Sequence, residues 1–225
     1  MMNHRWLEGQ APLMAVLSLV AILFGTFLEV GPIFTASAGP DAVPGVTPYT
    51  PLEVAGRDIY IREGCYVCHS QMVRPFRSET LRYGTWSRGG EYVHDRPFQL
   101  GSRRIGPDLH RLGGKYPDAW HYEHMRDPRA TSPNSVMPPY PWLVDATYDA
   151  DDIRKSMRAL QIAGTPYTDE QVAGTEAALA AQANKIVEGM KPAGIDTEPD
   201  REIVALIAYL QRLGKDGTAA FAEEN

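Results

Sequence analysis

Only two cysteines occur in the 225 residues, and they stand three positions apart. No pair is left for a disulfide framework, so stability has to come from burial and hydrogen bonding. Basic charge is also scarce: 22 lysines and arginines face 28 acids, a net charge of −6. Phosphate binders are usually basic, which excludes nucleic acid as the main partner. There is no internal repeat, and no alternating apolar–polar run long enough to mark a sheet. No catalytic triad, phosphate-cradling glycine loop or carboxylate pair stands out. Asp151-Asp152 and Glu223-Glu224 read as solvated charge, because a hard-cation site needs more oxygens.

Long apolar runs are rare too, but one is decisive. No residue from Ala11 to Leu28 is charged. That length is about enough to cross a hydrocarbon core of roughly 30 Å. Arg5 precedes the run, Trp6 sits where an interfacial aromatic belongs, and Glu29 comes after it. The positive-inside rule keeps the short N-terminus in the cytoplasm and exports the chain beyond about residue 30. The rival is a cleaved signal peptide, with Ala36-Ser37-Ala38 as its small-residue cleavage site. The run exceeds the usual signal core, which favours an uncleaved anchor over residues 1–34.

Prolines and glycines between 35 and 50 read as a linker. A helix then starts with Thr50 as N-cap, Pro51 in the first turn and Glu53 completing a capping box. Leu52, Ala55, Gly56, Ile59 and Tyr60 share one face of it. Residues 70–117 lack lasting periodicity and read as ordered loop with short elements, a length that usually signals function. Further helices are expected from about Asp151 to Ala163, with Gly164 as the stop, and after a second capping box at Thr168–Gln171. There Val172, Leu179, Ala183, Ile186 and Val187 form a weak stripe. The last helix carries Ile203, Leu206, Ile207, Leu210 and Leu213 at helical spacing, with Asp200 as cap and Gly214 as terminator.

The two cysteines belong to Cys65-Tyr66-Val67-Cys68-His69. Two residues between cysteines let each sulfur reach one vinyl group of the same porphyrin, and the adjacent histidine falls under the iron. A zinc half-site and a redox dithiol are the rivals. Zinc would need another cysteine or Cys/His pair, and no third cysteine exists. A thioredoxin-like dithiol would need a βαβ context, whereas a helix precedes this motif. One covalent haem c is the expected cofactor.

For the second axial ligand, Met137 stands out in Ser135-Val136-Met137-Pro138-Pro139-Tyr140, a proline-stiffened loop 68 residues beyond His69. Met72 is too close to His69, and Met157 and Met190 fit helix cores better. Met125 and the histidines His94, His110, His121 and His124 stay open as alternatives. A ligating histidine must place its second N–H, and the carbonyl of Pro107 in Gly106-Pro107-Asp108-Leu109 is a natural acceptor; an ordinary turn is the competing reading. Eight arginines but four acids lie between Arg74 and Arg111. They read as partners for haem propionates, with Arg74, Arg103 and Arg104 as candidates, or for an acidic or haem-bearing protein, against a plain solvated surface.

Three stretches carry a family resemblance: Gly64-Cys65-Tyr66-Val67-Cys68-His69-Ser70-Gln71-Met72-Val73-Arg74-Pro75, the run from Asp95 to Leu109, and the run from Pro133 to Leu143. The chain resembles the membrane-anchored mono-haem subunit (subunit II, FixO/CcoO type) of cbb3-type cytochrome c oxidase over about residues 10–145 and the last helix. The resemblance implies a mainly α fold, with one transmembrane helix and a class I-like cytochrome c domain over 51–225. Residues 145–195, which match least, are expected to be a helical insertion. It implies His69 and Met137 as axial ligands, with Pro107 supporting His69. It implies a non-catalytic electron-transfer subunit in the bacterial inner membrane, its haem domain in the periplasm. Its partners would be the large haem-copper subunit, a dihaem cytochrome c subunit and a soluble cytochrome c as a further donor. Electrons would pass on to the haem b and haem-copper site that reduces oxygen. A free membrane-tethered electron shuttle and a haem-binding sensor are the competing classes.

Overall fold

The computed structural model describes residues 4–35 and 40–216. They fall into two compact units that divide between Asp41 and Ala42. The first holds α1 (His4–Glu8) and α2 (Ala11–Thr35). Ala11–Gly31 is long and apolar enough to cross a membrane, since 21 residues at 1.5 Å each rise about 31 Å. Every side chain from Ala11 to Val30 is exposed. A helix that is apolar all round and covered by nothing belongs in hydrocarbon, where its backbone hydrogen bonds are all internal. The candidate cleavage site Ala36-Ser37-Ala38 and the pair Glu223-Glu224 lie outside the described residues.

The second unit is helical: α3 (Pro51–Arg62), α4 (Arg77–Tyr83), α5 (Asp118–Arg126), α6 (Pro128–Thr131), α7 (Trp142–Asp145), α8 (Ala150–Ile162), α9 (Asp169–Ala173), α10 (Thr175–Met190) and α11 (Glu202–Arg212). Among the described residues there is no strand, only an isolated bridge between Thr147 and Arg201. The mainly α class read from the sequence is the class observed, consistent with a cytochrome c domain.

The scaffold is the crossing of α3 and α11. Thr50 Oγ1 accepts from the Glu53 N–H at 3.3 Å, and Glu53 Oε2 accepts from the Thr50 N–H at 2.8 Å. Such a cap stabilises a helix start by about 1 kcal/mol. Leu52, Ala55, Gly56, Ile59 and Tyr60 are all buried, as their shared face requires. Gly56 lets the two backbones touch: a β-carbon there would stand 2.7 Å from Tyr209 Cβ. Ile203, Leu206, Ile207 and Leu210 from α11 are buried against it. Each such side chain contributes about 1.5–3 kcal/mol of burial.

The N-terminus of α11 differs from expectation. Asp200 does not cap it; Arg201 occupies the cap position without a side-chain hydrogen bond. The Glu202 N–H instead donates to the Ala146 carbonyl at 2.9 Å, and the Tyr148 N–H donates to the Asp200 carbonyl at 3.2 Å. A neighbouring stretch of backbone does the cap's work.

Residues 42–50, read as linker from their prolines and glycines, are held on this unit. The Thr47 N–H donates to Asp216 Oδ2 at 2.9 Å, and Tyr49 packs edge-on against Tyr209 at 5.8 Å. The expected helix near 151–163 is α8, with Asp149 accepting from the Asp151 N–H as its cap. The stripe after Thr168 is split at Gly174 into α9 and α10. Val172, Leu179, Ala183 and Val187 are buried from it, while Ile186 is only half-buried.

Candidate functional site

The cysteine motif comes directly after α3. Gly64 takes a left-handed φ of +71°, which turns the chain into a single 3-10 turn over Cys65–Val67. The His69 N–H donates to the Cys65 carbonyl at 2.9 Å, so both sulfurs and the imidazole sit on one tight loop. Both cysteines are free and half-buried. Burial, and after it the Glu63 charge, pushes the Cys65 thiol up to about 12. Among the described residues, no group of three or more His, Cys, Asp or Glu side chains gathers as a metal cage.

His69 is oriented from behind. Its Nδ1 lies 2.8 Å from the Pro107 carbonyl oxygen, the natural acceptor for a ring N–H. That bond leaves Nε2 as the lone-pair nitrogen. Burial is the largest influence on the ring and lowers its pKa, which favours the neutral form a ligand needs. Gly106 is required by this arrangement. A β-carbon there would come within 2.7 Å of both ring nitrogens, and its N–H donates to the Cys68 carbonyl at 3.0 Å. At Gly101, φ +61°, a β-carbon would stand 2.8 Å from the His69 carbonyl oxygen and 3.1 Å from Ser70 Cα.

Asp108 anchors the loop that carries Pro107. Its buried carboxylate accepts from Ser70 Oγ at 2.6 Å, the Met72 N–H at 2.8 Å and the His110 N–H at 2.9 Å. Sequence reading assigns this aspartate no role, although its place after Gly106-Pro107 is a usable signal. His110 itself is buried against Tyr92, whose hydroxyl lies 2.9 Å from Nδ1, and against Ser87. Burial pushes its pKa well down, and the Arg111 guanidinium adds to the effect.

The Met137 segment is tied to the end of α3 and to α5. Met137 is half-buried and packs, like Cys65, against the main core. Trp142 Nε1 donates to Glu63 Oε2 at 3.3 Å, tying the segment to the residue two before Cys65. Burial raises the pKa of Tyr140, and the charges of Cys65 and Cys68 raise it further, so Tyr140 lies within electrostatic reach of both cysteines. The Tyr140 N–H donates to the Met125 carbonyl at 2.8 Å, which fastens the segment to α5.

The alternative ligands have other surroundings. Met125, Met157 and Met190 are buried in cores, and the Thr175 hydroxyl lies 3.3 Å from Met157 Sδ. Burial, then Arg96 and Arg212, lowers the His94 pKa, and Asp216 opposes them. On α5, His124 stacks on Trp120 with ring centroids 4.5 Å apart and lies 2.5 Å from Thr131 Oγ1. Burial, and after it His69, lowers the His124 pKa. His121 is 1% exposed, and neither of its ring nitrogens has a hydrogen-bond partner among the described residues.

The three arginines singled out from the sequence are placed differently from one another. Arg74 and Arg104 both pair with Glu79. Arg104 also donates to Ser70 Oγ at 2.7 Å and to the Met72 carbonyl at 2.7 Å, and so braces the segment after the motif. Arg103 is exposed and makes no ion pair among the described residues.

A family model described as "Cytochrome C oxidase, mono-heme subunit/FixO" matches residues 4–216. No curated protein matches the chain.

Proposed function

The chain belongs to the FixO family of mono-haem cytochrome c oxidase subunits, and from that membership we propose that it relays electrons through one covalent haem c to the haem-copper subunit of a cbb3-type oxidase. The oxidase membership and the role in electron transport come with the family.

A bound haem c supplies a one-electron iron centre. The residues fit such a group. Cys65 and Cys68 are unpaired thiols on one 3-10 turn and would hold the porphyrin as thioethers. His69, oriented by Pro107 and given space by Gly106, would ligate iron through Nε2. Met137 would supply its thioether sulfur as the second iron ligand. Its support is the tie from Trp142 to Glu63 and the packing of Met137 and Cys65 on one core. Arg103, exposed and without an ion pair among the described residues, is the arginine free to meet a haem propionate, whereas Arg74 and Arg104 are engaged by Glu79.

α2 would anchor the chain by a single pass, with the N-terminus in the cytoplasm and residues 51–225 in the periplasm as the cytochrome domain. A dihaem cytochrome c subunit, or a soluble cytochrome c, would supply electrons. The chain contributes no oxygen-reducing site of its own in this reading; it binds, orients and shields a redox centre.

The observation that carries the proposal is the seating of His69 between Gly106 and the Pro107 carbonyl, directly after a pair of free cysteines. The test is purification of the membrane complex through a tag on this chain. Co-purification of a haem-copper subunit and a dihaem subunit is expected. A chain that extracts alone in mild detergent, and whose deletion leaves oxidase assembly intact, would overturn it and favour a tethered shuttle.

A further inference from the structure

Between α4 and the strap from Arg104 to Pro107 lies a cleft of about 390 Å³. Arg74, Arg82 and Arg104 line it, with Tyr83 and Ile105, and Gly106 and Pro107 also form part of its wall. Glu79 is the one acid among the lining residues. Its carboxylate is consumed by Arg104 and Arg74, the bond from Arg104 coming first among the causes that hold it down at about 2. The guanidinium of Arg82 lies 5.2 Å from the centre of the Tyr83 ring, and that of Arg104 lies 5.4 Å from the same ring. One aromatic side chain thus gathers two cations, and Arg82 makes no ion pair among the described residues. Glu79 and, at 3.5 Å, Asp108 already answer Arg104, so it is Arg82 that lacks a counter-charge among the described residues.

The edges of the cleft are apolar and uncovered. Ile105, which lines the cleft, is 63% exposed; Phe76 does not line it but has its ring 5.7 Å from the guanidinium of the lining residue Arg74, and is 59% exposed. An arginine-lined cleft with large exposed apolar residues at its rim has the composition of a protein interface, where arginine forks meet carboxylates and apolar anchors exclude water. The protein as a whole carries a net −6. A local positive cleft within an acidic protein selects an acidic partner and fixes its register.

We propose that this cleft is a docking site for a carboxylate-bearing segment of a neighbouring oxidase subunit, which sits against the Gly106-Pro107 backbone that orients His69. This rests on the reading of the chain as an oxidase subunit. A protein segment is favoured over an anionic lipid headgroup because the exposed isoleucine and phenylalanine flank the arginines and give the site an apolar rim as well as charge. Docking here brings the partner to the back of the loop that holds the haem ligand.

The experiment uses the whole complex in its membrane. Arg82→Glu and Ile105→Asp are introduced singly in a tagged chain, and a photo-reactive benzoylphenylalanine replaces Ile105 in a third strain. Covalent haem per chain should match wild type in all three, because none of these residues braces the motif. The charge-reversed chain should lose at least tenfold of its co-purifying haem-copper or dihaem subunit after a salt wash that spares wild type. The photo-probe should cross-link to one of those subunits. Wild-type co-purification with salt-stable assembly of both variants would overturn the docking site and leave the subunit reading intact. Cross-linking to phospholipid, or loss of binding to phosphatidylglycerol vesicles by Arg82→Glu with assembly unchanged, would overturn it in favour of lipid. Absence of any oxidase subunit from the wild-type preparation would defeat the subunit reading itself.

Discussion

The Pro107 carbonyl oxygen lies 2.8 Å from His69 Nδ1, across 38 residues of sequence. One backbone atom thereby leaves Nε2 as the imidazole nitrogen that would ligate iron in the proposed haem site. Everything that fixes Pro107 therefore acts on His69: Gly106 before it, Asp108 after it, and the Ser70 and Met72 groups that Asp108 collects.

Gly106→Ala is the sharpest test of that seating. Its β-carbon would stand within 2.7 Å of both ring nitrogens, so the ring has to move. Covalent haem per chain, read by haem staining against the amount of protein, should fall several-fold. Pro107→Ala keeps the carbonyl and should stay close to wild type.

Met137→Leu removes a thioether while keeping apolar volume. Covalent attachment through Cys65 and Cys68 should persist. The reduced chain should gain carbon monoxide binding, its reduction potential should fall, and electron delivery to oxygen should drop at least tenfold. Spectroscopy on the purified complex distinguishes loss of the ligand from loss of the fold.

Asp108→Asn exchanges a buried carboxylate that accepts three hydrogen bonds for an amide that cannot satisfy all three donors. The expected cost is about 2–4 kcal/mol, in the range for a broken buried network. Denaturant unfolding of the solubilised chain measures it, and haem attachment should fall with it.

Acid should destabilise the haem domain through its buried histidines. His110 is held well below the usual imidazole value, by burial first and then by Arg111. Burial, then His124, pushes His121 down to about 4. The unfolded chain binds these protons near pH 6.5, whereas the folded chain refuses them. Their stabilisation is present in full above pH 6.5 and declines as pH falls, down to about 4 for His121. The slope is about 1.4 kcal/mol per pH unit for each histidine. Glu53, Asp58 and Asp95, whose carboxyl pKa values burial raises, act in the opposite sense at the acid end. A melting series on wild type and His110→Gln isolates the histidine contribution, and the variant should show the flatter slope.

Local rules make much of this fold readable. The Thr50 capping box, the buried face of α3 and the α11 stripe each arise from residues within a few positions of one another. The features that sequence reading misses depend on distant partners. The cap of α11 is replaced by backbone from residues 146–148, which no local pattern announces. Periodicity marks no element over 118–126, where Trp120, His121 and His124 form an aromatic cluster rather than an apolar stripe. At the site, the Cys65–His69 spacing and the Gly106-Pro107 turn are legible because the chemistry dictates both. The division of labour among the arginines is not. Only the fold reveals that Glu79 takes up Arg74 and Arg104 and leaves Arg82 and Arg103 without ion pairs among the described residues.

The central claim is that the redox centre at Cys65, Cys68 and His69 feeds an oxidase. The most direct measurement is rapid mixing of the fully reduced, tag-purified complex with oxygen, monitoring the covalent haem of this chain by its visible absorption. The account predicts oxidation of that haem within the turnover time of the complex, and its abolition in a Cys65→Ser/Cys68→Ser chain that still assembles. A haem on this chain that stays reduced while the complex consumes oxygen, or native cysteines that react as free thiols, would contradict it.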